Sequence, residues 1–98
     1  LASAPRGIGI DEKSAVGVTN AGMATVFGAG NGAYLLSVTS NATRVCAANT
    51  PLTLTPVTTV RVPVGQQFDL PSWTAPNSTA YTLSTTNGLL TSSKGAIY

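Results

Sequence analysis

The sequence contains no histidine, a single cysteine and very little charge. Without histidine the chain has no imidazole to serve as a general base and no nitrogen ligand for a zinc site. The lone thiol, Cys46, cannot close an internal disulfide, and with no neighbouring imidazole it is a poor nucleophile; a small buried apolar role is expected for it. Charged residues make up 8% of the chain, against about 25% in ordinary soluble domains. The net charge of +2 arises from Arg6, Lys13, Arg44, Arg61 and Lys94 against Asp11, Glu12 and Asp69. The basic balance therefore reflects scarcity rather than a cationic patch, which argues against nucleic acid as a partner. No run approaches the roughly 18 consecutive apolar residues of a spanning helix, so no membrane span is expected and a soluble chain is. Nor does the start resemble a signal peptide; a chain beginning at Leu1 is either a cleavage product or one whose start lies upstream.

What is present is Thr, Ser, Ala, Gly and Val, a composition that favours strands over helices. At 98 residues there is room for one small core and no independent second domain. Residues 1–7 read as a leading loop, with Pro5 biasing Ala4 away from helix. Strands are predicted over 14–19, 23–27 and 33–39, joined by an Asn20-Ala21-Gly22 turn and by a glycine-rich turn at 28–32. Three short strands in succession predict a meander. The best helical alternative, 43–48, is one turn at most. Beyond Asn49 the apolar residues alternate with Thr and are punctuated by Pro51, Pro56 and Pro63, which predicts short, peripheral strands. Residues 65–73 read as a turn followed by apolar anchors, and 81–84 with 88–90 as a hairpin closed at Asn87-Gly88. A boundary falls near 42–50, giving a first part over 1–45 and a Thr-rich β-appendix over 46–98.

The most informative segment is Gly7-Ile8-Gly9-Ile10-Asp11-Glu12-Lys13-Ser14-Ala15, which holds the only adjacent acids of the chain. It resembles the G-I-G-I-D-E-x-(T/S)-A segment of the cyanophycinases, serine hydrolases of the peptidase E group. Val26-Phe27-Gly28 and the glycine turn into 32–38 match that family in order. Phe68-Asp69-Leu70, Trp73, Tyr81-Thr82-Leu83-Ser84, Asn87-Gly88 and Tyr98 look like the C-terminal extension of its secreted members. The resemblance implies a fold that is mainly β in this chain alone and that forms the C-terminal β-meander of an α/β, flavodoxin-like, parallel-sheet hydrolase domain, followed by the appendix.

It further implies a serine nucleophile on a strand-to-helix elbow and a histidine base, both on an N-terminal portion of the same precursor. The substrate implied is cyanophycin, cleaved to β-Asp-Arg dipeptides, in an extracellular or periplasmic bacterial setting; no cofactor or metal is implied. Glu12 aligns with the family's triad glutamate, and Asp11 is its competitor. Such a carboxylate fixes the tautomer of the histidine and stabilises the imidazolium that forms when the serine proton is taken. If Glu12 has that role, Asp11 is expected to bond loop amides or a neighbouring side chain. With neither serine elbow nor histidine of its own, this chain is expected to be inactive alone and held by the larger portion, with homo-oligomerisation also open.

Other signals carry less. The glycines at 28–32 precede an apolar strand rather than the helix of a dinucleotide loop, so a hairpin turn is the expected reading. Trp73, Tyr81 and Tyr98 read as core or interface anchors before they read as a sugar- or guanidinium-binding platform. Two other classes of function compete: a structural or adhesive β-module, such as a phage-capsid decoration protein, and a carbohydrate-binding module using the aromatics. The first of these leaves the Gly-Ile-Gly-Ile-Asp-Glu order unexplained.

Overall fold

A computed structural model describes residues 5–39 and 41–95. Among them there is no helix; the backbone forms β1 (Arg6–Ile10), β2 (Ser14–Val18), β3 (Met23–Gly28), β4 (Ala33–Ser37), β5 (Thr43–Val45), β6 (Thr53–Val62), β7 (Gln67–Asp69), β8 (Thr79–Thr86) and β9 (Leu89–Ser92). A six-stranded sheet runs β1-β4-β6-β8-β9, with β5 also paired to β6, and a three-stranded sheet runs β2-β3-β7. The mainly-β expectation holds, and it follows from the low charge and the β-branched, Thr-rich composition.

The chain divides into two compact units, each drawn from separated stretches. One comprises residues through Gly7, Leu36–Thr59 and from Tyr81 onward; the other comprises Ile8–Leu35 and Val60–Ala80. Both residues 45 and 46, where composition changes, lie in the first.

In the second unit β2 and β3 form the expected hairpin, in the register Ala15↔Phe27, Val16↔Val26 and Gly17↔Thr25. The tight connection is closed by Gly22 N donating to Thr19 O at 3.0 Å and Thr19 N donating to Met23 O at 2.9 Å. Strand β7 adds to the other side of β3, pairing Phe68 with Ala24. The alternation of β3 sends Ala24 and Val26 inward, where they join Ala33, Leu35, Val62 and Phe68 in a buried apolar cluster. Trp73 and Leu70 pack against its margin, so 65–73 supplies the anchors expected of it. Trp73 does so from a left-handed backbone conformation, φ 57°, which costs a non-glycine residue about 1 kcal/mol or more. Burying part of the indole against the cluster offsets that cost.

The first unit has a more polar interior. Its buried residues include Thr53 and Thr59 beside Val38 and Tyr81. Their hydroxyls are engaged: Thr53 Oγ1 accepts from Asn87 N at 3.0 Å, and Thr59 Oγ1 donates to Val57 O at 3.4 Å. The β8–β9 hairpin turns at Asn87 (φ 50°) and Gly88 (φ 82°), the pair of positive φ values that Asn-Gly was expected to supply.

Several sequence expectations need correction. The leading loop is a strand from Arg6 onward, while Leu1–Ala4 lie outside the described residues. The meander breaks after β3, because β4 joins the other sheet. Its first three side chains are all buried, so both faces need cover that a one-sided meander could not give. The Pro-punctuated segment is neither short nor peripheral: β6 has 10 residues and sits in the middle of the larger sheet. Pro56, exposed, comes just after Thr55, the last partner of β5. The possible helical turn at 43–48 starts instead as β5, held to β6 by Thr43↔Thr55 and Val45↔Thr53. Cys46 is exposed, not buried.

Because Phe68 is 1% exposed at the centre of the apolar cluster, Phe68→Ala should lose about 3–5 kcal/mol. That is a large share of the about 5–15 kcal/mol available to a domain of this size. Chemical denaturation should show a correspondingly lower midpoint, whereas Thr58→Ala, at an exposed position of β6, should shift it by less than about 0.5 kcal/mol.

Candidate functional site

Asp11 and Glu12 lie between β1 and β2, in a tight turn closed by Ser14 N donating to Asp11 O at 3.2 Å. Lys13 takes the left-handed position of this turn, φ 60°, where glycine or asparagine would be usual. The turn is clasped by the glycine-rich connection between β3 and β4. The carbonyl of Lys13 accepts from Ala29 N at 2.8 Å and Gly30 N at 3.3 Å, and Asp11 N donates to Gly32 O at 3.0 Å. Side chains complete the clasp: Asp11 Oδ2 accepts from Asn31 N at 2.9 Å, and Ser14 Oγ accepts from Gly32 N at 3.3 Å. Behind the loop, Arg61 Nε donates to Asn31 O at 2.9 Å.

Two of the glycines are required by this contact. A Cβ at Gly28 would stand 2.1 Å from Lys13 O, and one at Gly30 would stand 2.1 Å from Glu12 O. The sequence identified these glycines as a turn between strands. Their second task, close approach to the backbone of the acidic turn, could have been suspected from their density alone, since one hairpin turn needs only one or two of them.

The two acids therefore differ in what they are free to do. Asp11 is half-buried and its carboxylate bonds a loop amide, the bond expected of it if Glu12 has the triad role. Glu12 is exposed, and among the described residues nothing hydrogen-bonds its carboxylate. Its backbone is nevertheless fixed on both sides, by the bonds of Asp11 and of Lys13. An exposed carboxylate on a fixed turn can accept a proton donor brought by another segment. The chain itself holds no histidine for it to orient. Among the described residues no three acids, cysteines or histidines gather as a metal would require.

A Ser-Asp pair that the sequence reading passed over lies elsewhere in the same unit. Ser72 Oγ donates to Asp69 Oδ2, Ser72 N donates to the same oxygen at 3.2 Å, and Ser72 Oγ is 2.7 Å from Thr74 Oγ1. The pair closes the loop between Asp69 and its bridge partner Thr74, a structural use of a serine hydroxyl. Of the aromatics, Trp73 packs on the apolar cluster, and Tyr81 is buried with Lys94 Nζ 4.1 Å from its ring centroid. Tyr98 lies outside the described residues.

No family model matches the sequence, and no curated protein or solved structure matches the chain.

The clasp makes substitutions at two positions informative. Gly30→Ala should destabilise the chain by about 2–3 kcal/mol, because backbone and not a flexible side chain must yield. Asp11→Ala should cost about 1 kcal/mol, while Asp11→Asn, which keeps an oxygen for the Asn31 amide, should cost less than half of that. Urea titration of the three variants checks both, and equal losses for Ala and Asn at position 11 would refute the role given to the Asn31 bond.

Proposed function

We propose that this chain is the C-terminal portion of a cyanophycinase-like serine hydrolase and that Glu12 is the carboxylate of its triad. The observation that carries the reading is the division of labour between adjacent acids. Asp11 is committed to the glycine loop, while Glu12 is exposed on a turn whose backbone is bonded on either side. A triad acid has the same needs: a fixed main chain and an unspent carboxylate aimed away from its own loop. The Gly-Ile-Gly-Ile-Asp-Glu order adds the family resemblance, and with it the α/β parallel-sheet parent domain.

In this reading the serine and the histidine reside on an N-terminal portion of the same precursor. The histidine takes the serine proton as the hydroxyl oxygen attacks the scissile carbonyl, and Glu12 accepts the hydrogen bond from the other imidazole nitrogen. The developing imidazolium is thereby stabilised, and the proton passes on to the leaving amine. The substrate class is cyanophycin, released as β-Asp-Arg dipeptides, and the setting is extracellular or periplasmic in a bacterium. The residues recognising arginine belong to the other portion.

A structural or adhesive β-module is the second reading. It is favoured by the apolar cluster around Phe68, which closes among strands and loops of this chain with no helix contributing.

The discriminating experiment co-expresses this chain with the N-terminal portion and measures dipeptide release. Glu12→Gln should lower kcat by about 10³-fold or more, in keeping with loss of a triad acid, with the two portions still co-purifying. Asp11→Asn should leave kcat within about threefold, because Asp11 acts on the loop and not on the imidazole. Wild-type turnover in the Glu12→Gln assembly would remove Glu12 from the triad, and failure of the two portions to associate would leave the β-module as the better account.

A further inference from the structure

The chain holds two Asn-Gly pairs, Asn31-Gly32 and Asn87-Gly88. In such a pair the amide nitrogen of the glycine, unshielded by any Cβ, can attack the side-chain carbonyl of the asparagine before it. The attack needs the connecting peptide to turn until that nitrogen faces the side chain, so the bonds that hold this peptide decide how often the reaction starts. At Asn31-Gly32 every polar main-chain atom is held. Asn31 N donates to Asp11 Oδ2 at 2.9 Å and Gly32 N to Ser14 Oγ at 3.3 Å. Asn31 O accepts from Arg61 Nε at 2.9 Å and Gly32 O from Asp11 N at 3.0 Å. Gly32 is also buried, and a Cβ there would stand 2.2 Å from the carbonyl oxygen of Val62, a fully buried residue of the apolar cluster. Turning this peptide would press on β6 as well as break the clasp.

Asn87-Gly88 is held more lightly. Both residues are exposed at the tip of the β8–β9 hairpin. Gly88 N donates to the carbonyl of Leu52, itself exposed, at 2.8 Å, and Asn87 N donates to Thr53 Oγ1 at 3.0 Å. Among the described residues nothing crowds the turn: a Cβ at Gly88 would meet only Pro51 Cβ, at 3.8 Å. Bonds at an exposed hairpin tip open by local fraying, without disturbing a core. We propose that Asn87 is a modification site, converted without an enzyme to aspartate and isoaspartate while the chain stays folded, and that the clasp keeps Asn31 from the same reaction. Gly88 N bonds to Asn87 Cγ, and the bond from Cγ to the side-chain nitrogen breaks. That nitrogen leaves as ammonia, carrying the proton lost by Gly88 N, and a succinimide ring remains. Water then opens the ring at one of its two carbonyl–nitrogen bonds. Cleavage at Cγ leaves aspartate; cleavage at the main-chain carbonyl leaves isoaspartate, whose main chain is one methylene longer. Either product puts a carboxylate into a unit whose residues 36–59 and 81–95 contain no acid. The longer main chain also spoils the two-residue loop that sets Thr86 opposite Leu89. The reaction consumes only water and is independent of any hydrolase role for the chain.

The full chain, incubated at mildly alkaline pH both folded and in concentrated guanidinium chloride, provides the test, with both asparagines followed by peptide mapping and mass spectrometry. In denaturant the two pairs should react at rates within about threefold of each other, since glycine follows each asparagine. In the folded chain Asn87 should keep a rate within about tenfold of its denatured one, whereas Asn31 should fall at least about a hundredfold below its own. Asp11→Ala, remote in sequence from both pairs, removes the acceptor of Asn31 N and should speed Asn31 at least about threefold while leaving Asn87 unchanged. In the isoaspartate form the Leu89 amide should exchange its hydrogen faster than in the unmodified chain. Three outcomes would overturn the proposal: Asn31 reacting as fast as Asn87 in the folded chain, Asn87 staying intact there, or Asp11→Ala speeding both asparagines alike.

Discussion

The contact between the acidic turn and the glycine-rich loop organises the site end of this protein. It consists of main-chain donors at Ala29 and Gly30 meeting the Lys13 carbonyl, reinforced by the Asp11 carboxylate on the Asn31 amide. Backbone pairs with backbone at a distance that excludes side chains, so the geometry is set by the main chain and not by rotamer choice. These bonds join two surface connections into one hydrogen-bonded unit, which holds the backbone on either side of Glu12.

This arrangement explains how a chain so poor in charge can support a specific electrostatic feature. With three acids in the whole sequence, each has few neighbours of either sign to compete with it. Asp69 is tied to Ser72 and Asp11 to Asn31, which leaves Glu12 as the acid whose carboxylate is uncommitted. The proposed triad role draws on this clasp, and the β-module reading draws on the Phe68 cluster.

Local signals were legible in the sequence and non-local ones were not. The β2–β3 hairpin and the Asn87-Gly88 turn depend on neighbours along the chain, and both were anticipated. The bond of Asp11 to its loop amide is the one expected of it if Glu12 fills the acid role that the family resemblance implies. The transfer of β4 to the other sheet, by contrast, depends on cover for both faces of Ala33, Tyr34 and Leu35, which no local window contains. Proline misled the reading of 53–62, because the rule that confines it to edges says nothing of a strand whose partners change along its length. The exposure of Cys46 likewise reflects where β5 ends, a fact set by its pairing with β6.

The positions of two rare residues have a practical consequence. The sole tryptophan, Trp73, lies in the unit containing the apolar cluster, and the sole cysteine, Cys46, lies in the other. Indole fluorescence and the reactivity of a single thiol thus serve as built-in reporters, one for each half of the molecule, with no label or substitution required. Followed through the same denaturation, they reveal whether the halves melt as one cooperative body or in succession.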